Sequence, residues 1–412
     1  MATIRPFRGV RPKEEYAASV AALPYDVLNS DEARAMAACN PHSFLHVDKS
    51  EIDLAPDVDH YDDRVYEKAA ENLRKMIVDG ILLQDESSMF YIYALAMNDR
   101  TQTGIVVCAA VDEYLDGTIK KHEFTREDKE KDRVRHVKTC NAQTGPIFMT
   151  YRAQSGVNKL IDAWVQRNSP VYDFVSEDGV RHQVWLLPDP VTVAELESLF
   201  RQVPRLYIAD GHHRAAAAAQ VAVNRRKNSQ NDGTYAEYNY FLGVLFPHDQ
   251  LHIMDYNRMV KDINGLSQAE LMKHVLKNFY VSPSSDGKPP TAHSFGMYLE
   301  GRWYLLQIKD SLIPGDPLDA LDASILQNML LGPVLGIEDP RTSKRIDFAG
   351  GTRGLKELEK RVDSGEMAVA FALYPTSLEE LFAVVDDDKI MPPKSTWFEP
   401  KLRSGLFIHL LD

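Results

Sequence analysis

Apolar and polar positions along this chain follow helical and strand periods in turn, which predicts helices and strands interleaved throughout. Between about 60 and 79, apolar residues such as Tyr66, Ala69 and Leu73 recur at helical spacing and predict a helix. The same reading predicts helices at 156–167, 191–202, 214–227, 319–331 and 376–385, and strands at 89–97, 104–111, 146–151, 205–209, 240–246, 295–299, 303–308 and 367–373. We therefore expect an α/β fold (mixed α+β), with mixed sheets and interleaved helices.

The length of the chain favours more than one domain. A chain of 412 residues exceeds what one hydrophobic core usually holds, so two or three domains are expected. We expect an N-terminal α/β region at 1–115, a central region at 116–260 that carries the site, and a C-terminal α/β region at 261–412 with a docked tail. A polar loop is expected at 228–234.

Charge and cysteine content restrict the classes of function. Acidic residues number 60 against 47 basic ones, and the formal net charge is −13. Nucleic-acid binders usually carry a basic surplus, because phosphate neutralisation supplies much of their affinity, so we expect no nucleic-acid partner. The three widely spaced cysteines suit a reducing compartment, and no apolar stretch is long enough to cross a bilayer. We expect a cytoplasmic protein without a membrane partner. A homodimer is compatible with this expectation.

The strongest signal for chemistry is an apolar strand that ends at Asp210 and is followed, after Gly211, by the start of a helix. A helix N-terminus presents unpaired N–H groups and a partial positive charge, which together form an anion site. Arg214 adds a guanidinium that matches phosphate or carboxylate oxygens. His212 and His213 are candidate proton-transfer groups, and Asp210 is a candidate Mg²⁺ ligand or base. The alternative is a capped helix with two solvent-facing histidines; a zinc site is disfavoured because no third ligand stands at the usual spacing.

Two further segments supply polar residues that fit a cleft. His122, Glu123 and Arg126 follow a predicted strand rather than lying within a helix, so we expect them to line the cleft. The charged run at 128–135 is expected to be a solvent-exposed helix face with i,i+4 ion pairs. Asp26, a loop acid beside an aromatic residue, is another candidate lining residue. A purely structural role is the alternative for each of them.

The C-terminal tail and one glycine-rich segment offer weaker candidates. Lys394, Ser395 and Thr396 follow two prolines and precede two aromatic residues, so we expect them to fold back over a phosphate near the Asp210 turn. The alternative is a tail that docks for stability alone. Residues 347–354 also follow a strand and open a helix. They lack the glycine spacing of dinucleotide sites and the ending of a P-loop, so we interpret them as a turn.

Several segments, taken together, resemble a bacterial and archaeal family that is number ten-fifteen among the domains of unknown function. They are Arg5-Pro6-Phe7-Arg8-Gly9, Pro24-Tyr25-Asp26-Val27, Asn40-Pro41-His42-Ser43-Phe44-Leu45, His122-Glu123-Phe124-Thr125, Ala209-Asp210-Gly211-His212-His213-Arg214 and Pro392-Pro393-Lys394-Ser395-Thr396-Trp397-Phe398. The resemblance covers essentially the whole chain. The Asp-Gly-His-His-Arg element also resembles the ParB/sulfiredoxin superfamily, whose free-serine kinases transfer phosphate between a nucleotide and serine.

This resemblance implies a ParB/sulfiredoxin-like central region and specific roles for its residues. It implies that the phosphoryl group and its donor are held by Asp210, His212, His213 and Arg214, with Glu123 in the place of a catalytic glutamate. The family also tends to accompany serine-biosynthesis genes, which implies phosphoserine chemistry. A true ParB role is disfavoured, because the chain has neither a helix-turn-helix reader nor a basic charge. A sulfiredoxin role is disfavoured because the motif contains no cysteine.

The expected function is a phosphotransferase or phosphatase acting on L-serine or O-phosphoserine, with a nucleotide, pyrophosphate or water as the other partner and Mg²⁺ as the cofactor. The expected catalytic residues are Asp210, His212, His213 and Glu123, with Asp210 as the metal ligand. The expected substrate- and phosphate-binding residues are Gly211, Arg214, His122, Arg126, Lys394, Ser395, Thr396 and Asp26. The alternative is a nucleotide-binding regulator without turnover, while a structural protein would neither bind nor turn over such a ligand.

Overall fold

A computed structural model describes residues 1–228 and 236–412 of the chain. The polar loop predicted at 228–234 lies, except for its first residue, outside these residues. The chain forms two compact units, the first made of 1–251 together with 400–412 and the second of 252–399. This division differs from the three consecutive regions predicted from the sequence, because strands from both sides of residue 115 share one sheet.

The first unit contains strands that join mainly into one large sheet. Its strands up to residue 251 are β1 Ile4–Arg5, β2 Val10–Pro12, β3 Leu82–Gln84, β4 Phe90–Met97, β5 Arg100–Ala110, β6 Ile119–Lys120, β7 Ala142–Gln143, β8 Ile147–Tyr151, β9 Tyr172–Val175, β10 Arg181–Leu187, β11 Leu206–Asp210 and β12 Tyr240–Pro247. Nine of them form a sheet in the order β6-β11-β8-β12-β5-β4-β10-β9, with β1 beside β5. The sheet is mixed, since β12 runs parallel to β8 whereas β11 runs antiparallel to it.

Helices of the first unit include those predicted at 60–79, 156–167, 191–202 and 214–227. They are α1 Ala17–Val20, α2 Ser30–Ala37, α3 Leu45–Asp48, α4 Asp63–Val78, α5 Val111–Leu115, α6 Glu127–Cys140, α7 Ser155–Arg167, α8 Pro190–Phe200 and α9 His212–Asn228. The alanines at 215–219 in α9 are all buried, and most of them belong to the main hydrophobic core with β8 and β11. Small side chains let a helix lie close to a sheet. This close packing fixes the start of α9 at the end of β11.

The second unit is built on antiparallel sheets. Its strands are β13 His252–Met254, β14 Tyr256–Val260, β15 Phe279–Ser284, β16 Ser294–Leu299, β17 Arg302–Ile308, β18 Ile346–Gly350, β19 Val369–Leu373 and β20 Trp397–Glu399, and its helices are α10 Gln268–Asn278, α11 Asp322–Leu326, α12 Gly354–Asp363 and α13 Leu378–Asp386. Six strands pair in the order β15-β17-β16-β19-β14-β18, and β13 pairs with β20. The helix predicted at 319–331 is α11 followed by a π-helical stretch at 327–331.

After the second unit, the chain returns to the first unit through residues 400–412. Strand β21, His409–Leu410, pairs with β7, and backbone bridges join Ser404 to Ala22 and Ile408 to Val10. The tail is therefore part of the core structure of the first unit. The predicted mixed α/β fold with interleaved helices is confirmed. Within residues 1–228 and 236–412, no helix has both the length and the apolar character needed to cross a membrane.

Candidate functional site

The candidate site begins with the turn between β11 and α9. β11 ends at Asp210, α9 begins at His212, and Gly211 between them has a φ of +94°. A side chain there would be strained by this backbone conformation. It would also meet the guanidinium of Arg214, because a Cβ on Gly211 would lie 3.0 Å from Arg214 Nε. Glycine is therefore required at 211, and Arg214 is held against the turn.

Arg214 is a mostly buried cation, with its side chain 11% exposed, and it keeps one hydrogen-bond donor unused among the described residues. Its Nη1 donates to the carbonyl oxygen of Pro146 at 2.6 Å, and its Nη2 lies 3.8 Å from Asp210 Oδ2. Its buried Nε has no hydrogen-bond partner among the described residues. Burial lowers the pKa of Arg214, but the charges of Asp26 and Asp210 outweigh burial and raise it overall. The site thus holds a permanently charged guanidinium with an N–H left for a ligand.

Asp210 is held between two cations. Its Oδ2 lies 3.4 Å from Lys401 Nζ in the returning tail, and its Oδ1 accepts the backbone N–H of Gly211 at 2.9 Å. Burial raises the pKa of this carboxyl, but Lys401 and Arg214 outweigh burial and hold it well below its usual range. Both oxygens are therefore already engaged, which favours an electrostatic role. Metal binding by Asp210 stays a prediction.

His122 and His212 meet at a right angle inside the protein. Their ring centroids are 4.4 Å apart with an interplanar angle of 87°, and both side chains are buried. Burial lowers the pKa of His122 to about 4 and that of His212 well below its ordinary value, so both rings are neutral near pH 7. Solvent-facing histidines, the alternative raised from the sequence, are therefore wrong for His212.

Glu123, His213 and Arg126 lie around this pair. One ligand atom each from His122, Glu123 and His212 lies within 4.8 Å of the other two. His213 Nε2 accepts the backbone N–H of Arg126 at 3.1 Å, whereas the Arg126 side chain is exposed and pairs with Asp128. The loop at 122–126 and the start of α9 therefore meet, with Arg126 contributing its backbone at that contact.

A cavity of about 420 Å³, including space open to solvent, lies beside Arg214. Polar and charged side chains on its wall are Tyr25, Asp48, Arg133, His136, Gln143, Thr144 and Arg214. The Arg133 guanidinium lies 4.0 Å from the centre of the Tyr25 ring and pairs with Asp132 at 2.8 Å. Asp48 accepts a hydrogen bond from the Thr144 hydroxyl at 2.7 Å. The cavity therefore presents both positive and negative groups to a ligand.

This cavity corrects one prediction about the charged run at 128–135. Asp132 and Arg133 are buried, so the run is not simply a solvent-exposed face. Exposed ion pairs do occur at its start, where Lys131 and Glu127 lie 2.5 Å apart. The buried face of α6 includes positions 132, 133, 136 and 137, which recur at helical spacing. Because Asp132, Arg133 and His136 are polar or charged, apolar periodicity could not predict this face.

The structure brings most of the predicted site residues together in the first unit. They are Asp26, His122, Glu123, Arg126, Asp210, Gly211, His212, His213 and Arg214. Sequence reasoning missed Tyr25, Asp48, Arg133 and Lys401 as members of the site. Lys401 lies in the tail segment that the sequence singled out, but the prediction chose Lys394 as its cation.

Lys394, Ser395 and Thr396 belong to the second unit. Lys394 Nζ lies 5.6 Å from the centre of the Tyr256 ring, and the buried Ser395 hydroxyl donates to the carbonyl oxygen of Pro392 at 2.7 Å. These contacts describe a segment that is ordered by other residues of the second unit. Closure of this segment over a phosphate stays a prediction.

Residues 347–354 form the second strand–glycine–helix segment of the chain. β18 ends at Gly350, a 3-10 turn follows at Gly351–Arg353, and α12 begins at Gly354. A Cβ on Gly350 would lie 2.6 Å from the Trp397 ring, so an aromatic side chain fills the space beside this turn. Arg353 is exposed.

Comparison with known proteins identifies a family and several distant structural likenesses. A family model described as "Protein of unknown function (DUF1015)" matches residues 4–324. No curated protein matches the chain. C-terminally truncated SbnI from Staphylococcus aureus is 12% identical, with a TM-score of 0.41, and the match covers 74% of this chain and 87% of that one.

Two further solved structures cover the same share of the chain. A free serine kinase in complex with AMP is 12% identical, with a TM-score of 0.36, and the match covers 74% of this chain and 92% of the kinase. A conserved hypothetical protein from Pyrococcus furiosus has the same identity and TM-score, and the match covers 74% of this chain and 95% of that protein.

Proposed function

This chain belongs to the DUF1015 family of unknown function, and we propose that it is a phosphotransferase or phosphatase acting on L-serine or O-phosphoserine. The observation that carries the proposal is the buried Nε of Arg214, which lies against the Gly211 turn with its N–H unpaired among the described residues. A buried donor without a partner is costly, and a ligand oxygen would satisfy it.

The surroundings of Arg214 support a phosphate as that ligand. The start of α9 adds the partial positive charge of a helix N-terminus next to the guanidinium. Lys401 offsets the charge of Asp210, so the carboxylate repels an incoming anion less than an isolated one would. Phosphoryl transfer depends chiefly on positioning and on stabilising negative charge, which are the properties that this turn supplies.

The neighbouring cavity supports an amino acid as the substrate. A zwitterionic amino acid needs a cation for its carboxylate and an anion for its ammonium group. Arg133 and Asp48 both line the cavity and supply these two charges, while Arg214 lies on the same wall. The choice of serine within this class rests on the resemblance of the Asp-Gly-His-His-Arg element to that of free-serine kinases. In this proposal, the second substrate that donates or accepts the phosphate is a nucleotide or pyrophosphate, or water accepts it.

Proton transfer is assigned to the partly exposed groups at the mouth of the site. Glu123 and His213 are each intermediate in burial and adjoin the start of α9, so they can exchange protons with a bound hydroxyl group. His212 and His122 are more deeply buried. Asp26 and Asp210 hold Arg214 in its charged form. In this proposal, Mg²⁺ binds together with the phosphate groups of the substrate.

The proposal is tested by incubating the purified protein and Mg²⁺ with O-phosphoserine, alone and with ADP or pyrophosphate, and measuring released serine. The reverse reaction is measured with serine and ATP. We expect serine to appear with at least one of these partners. Nucleotide binding measured by calorimetry without any transfer of phosphate would instead identify a nucleotide-binding regulator. Neither binding nor transfer would reject both functions.

A further inference from the structure

The cluster formed by His122, Glu123 and His212 has the composition of a metal site. Each residue places one ligand atom within 4.8 Å of the other two. Two ligands bound to one metal ion at about 2.0–2.2 Å lie about 3–4 Å apart, so a shift of about an ångström closes this cluster around an ion. His122 and Glu123 come from the segment after β6, and His212 comes from the start of α9. The cluster therefore joins the two segments of the candidate site.

Hydrogen bonds fix which imidazole nitrogens carry lone pairs. His122 Nδ1 lies 2.9 Å from the carbonyl oxygen of Ile208, which only accepts, so Nδ1 carries the proton and Nε2 the lone pair. A ring oriented by such a bond to a backbone carbonyl is the usual arrangement of a metal-binding histidine. His212 Nε2 accepts a long hydrogen bond of 3.4 Å from the backbone N–H of His122, so its lone pair points toward the 122–123 segment.

We propose that His122, Glu123 and His212 bind a divalent first-row transition metal, with Zn²⁺ as the reference ion. Two imidazoles and one carboxylate suit Zn²⁺, Co²⁺ or Mn²⁺, whereas Mg²⁺ prefers oxygen ligands. Three protein ligands leave a coordination position for water or for an oxygen of a bound anion. This inference concerns metal binding and does not depend on phosphoryl transfer. With Glu123 bound to a metal, proton transfer in the proposed function passes to His213.

The test measures metal binding directly. The full chain, stripped of metal, is titrated with Co²⁺, and binding is followed by visible absorption and calorimetry, with competition by Zn²⁺ and then by Mg²⁺. We expect one Co²⁺ per chain, displaced by Zn²⁺ and not by millimolar Mg²⁺. Glu123→Gln, which keeps the volume of the side chain, should weaken Co²⁺ binding at least about tenfold, and His212→Ala should weaken it further.

A matched control separates this site from surface histidines. His60 is exposed, and His60→Ala should bind Co²⁺ as wild type does. Circular dichroism must show that each variant is folded; if His212→Ala is not, Glu123→Gln and the Zn²⁺-induced rise of the wild-type melting temperature decide the question. Unchanged Co²⁺ affinity in folded Glu123→Gln, or displacement by Mg²⁺ as easily as by Zn²⁺, would overturn the proposal. Either outcome leaves the phosphoryl-transfer assay to be judged separately.

Discussion

The turns at Gly211 in the first unit and at Gly350 in the second share one local plan, a strand that leads through glycine into a helix. They differ in what lies beside the glycine. At Gly211 it is the guanidinium of Arg214, with one donor unpaired among the described residues. At Gly350 it is the ring of Trp397, which needs no further partner for its apolar face. The comparison teaches that the strand–glycine–helix pattern builds a turn, while a buried charge with unused bonding capacity indicates a binding site.

One buried titratable group in each unit has its pKa shifted by burial, and the two shifts run in opposite directions. In the first unit, His182 is buried beside Arg403, and burial followed by the charge of Arg403 lowers its pKa to about 3. In the second unit, burial raises the pKa of Asp322 to about 7, and its Oδ2 has no hydrogen-bond partner among the described residues. His182 is therefore neutral above about pH 3, whereas Asp322 is neutral below about pH 7.

The largest expected effect comes from Arg214, which follows the Gly211 turn. Arg353, which follows the Gly350 turn, is its matched control. Arg214→Ala should lower the rate of phosphate transfer by about 10²–10³-fold, because it removes a buried donor aimed at the ligand. Arg353→Ala, the matched change beside the exposed turn, should leave the rate unchanged. Rates are measured with O-phosphoserine and the best acceptor. Arg214→Lys keeps the charge but loses the planar fork, so it should remain folded and still be strongly impaired. Equal rates for Arg214→Lys and wild type would contradict the assigned role.

The pH dependence of stability should run in opposite directions in the two units. For His182 the folded pKa is below the unfolded value near 6.5, so the stability of the first unit should fall as pH decreases from about 6.5 toward 3. For Asp322 the folded pKa is above the unfolded value, so its contribution should be lost as pH rises from about 4 toward 7. Each effect should be a few kcal/mol. Hydrogen exchange resolved by unit is the measurement. Asp322→Asn should remove the loss of stability of the second unit at rising pH and leave the pH dependence of the first unit unchanged.

A smaller effect is expected from alanine at two glycines with positive φ. Gly211→Ala should destabilise the first unit by about 2 kcal/mol, since it adds a contact with the Arg214 guanidinium to the backbone strain. Gly354→Ala in the second unit has a φ of +66° but nothing within 4 Å of the added Cβ, so about 1 kcal/mol is expected. Urea unfolding measures both changes. A larger loss of unfolding free energy for Gly354→Ala than for Gly211→Ala would contradict this prediction.

The last prediction, an effect similar in size to those of the two glycine changes, concerns the lysine that the sequence analysis expected over the phosphate. Lys394→Ala should raise the KM for O-phosphoserine about tenfold with little change in kcat if this residue reaches the substrate, which corresponds to about 1.4 kcal/mol. Lys288→Ala, an exposed lysine of the same unit, serves as the control. Steady-state kinetics that show the same KM for both variants would remove Lys394 from the site and leave Arg214 and Lys401 as its cations.

Regular elements and the central turn were predictable from the sequence, because local periodicity determines both. Helix α4 was expected at 60–79 and is Asp63–Val78, and β11 and α9 join at Gly211 as expected. Long-range pairings were not predictable in the same way. In the sequence, Arg133 is one charge in a run that predicts a solvent-exposed face. In the structure, its guanidinium lies against the ring of Tyr25, which is more than a hundred positions earlier in the chain. Lys401 reaches Asp210 only because the tail returns to pair with β7, and no local pattern encodes that pairing.

The return of residues 400–412 to the first unit has a consequence for how the protein is made. A ribosome synthesises the chain from its N-terminus, so the whole of the second unit emerges before Lys401 and β21. During that interval the residues of the large sheet and of the Asp210 turn have been synthesised, but the strand that pairs with β7 and the cation that faces Asp210 have not. Assembly of the site therefore follows synthesis of the second unit, and a nascent chain released within the second unit would carry the motif without Lys401 and β21.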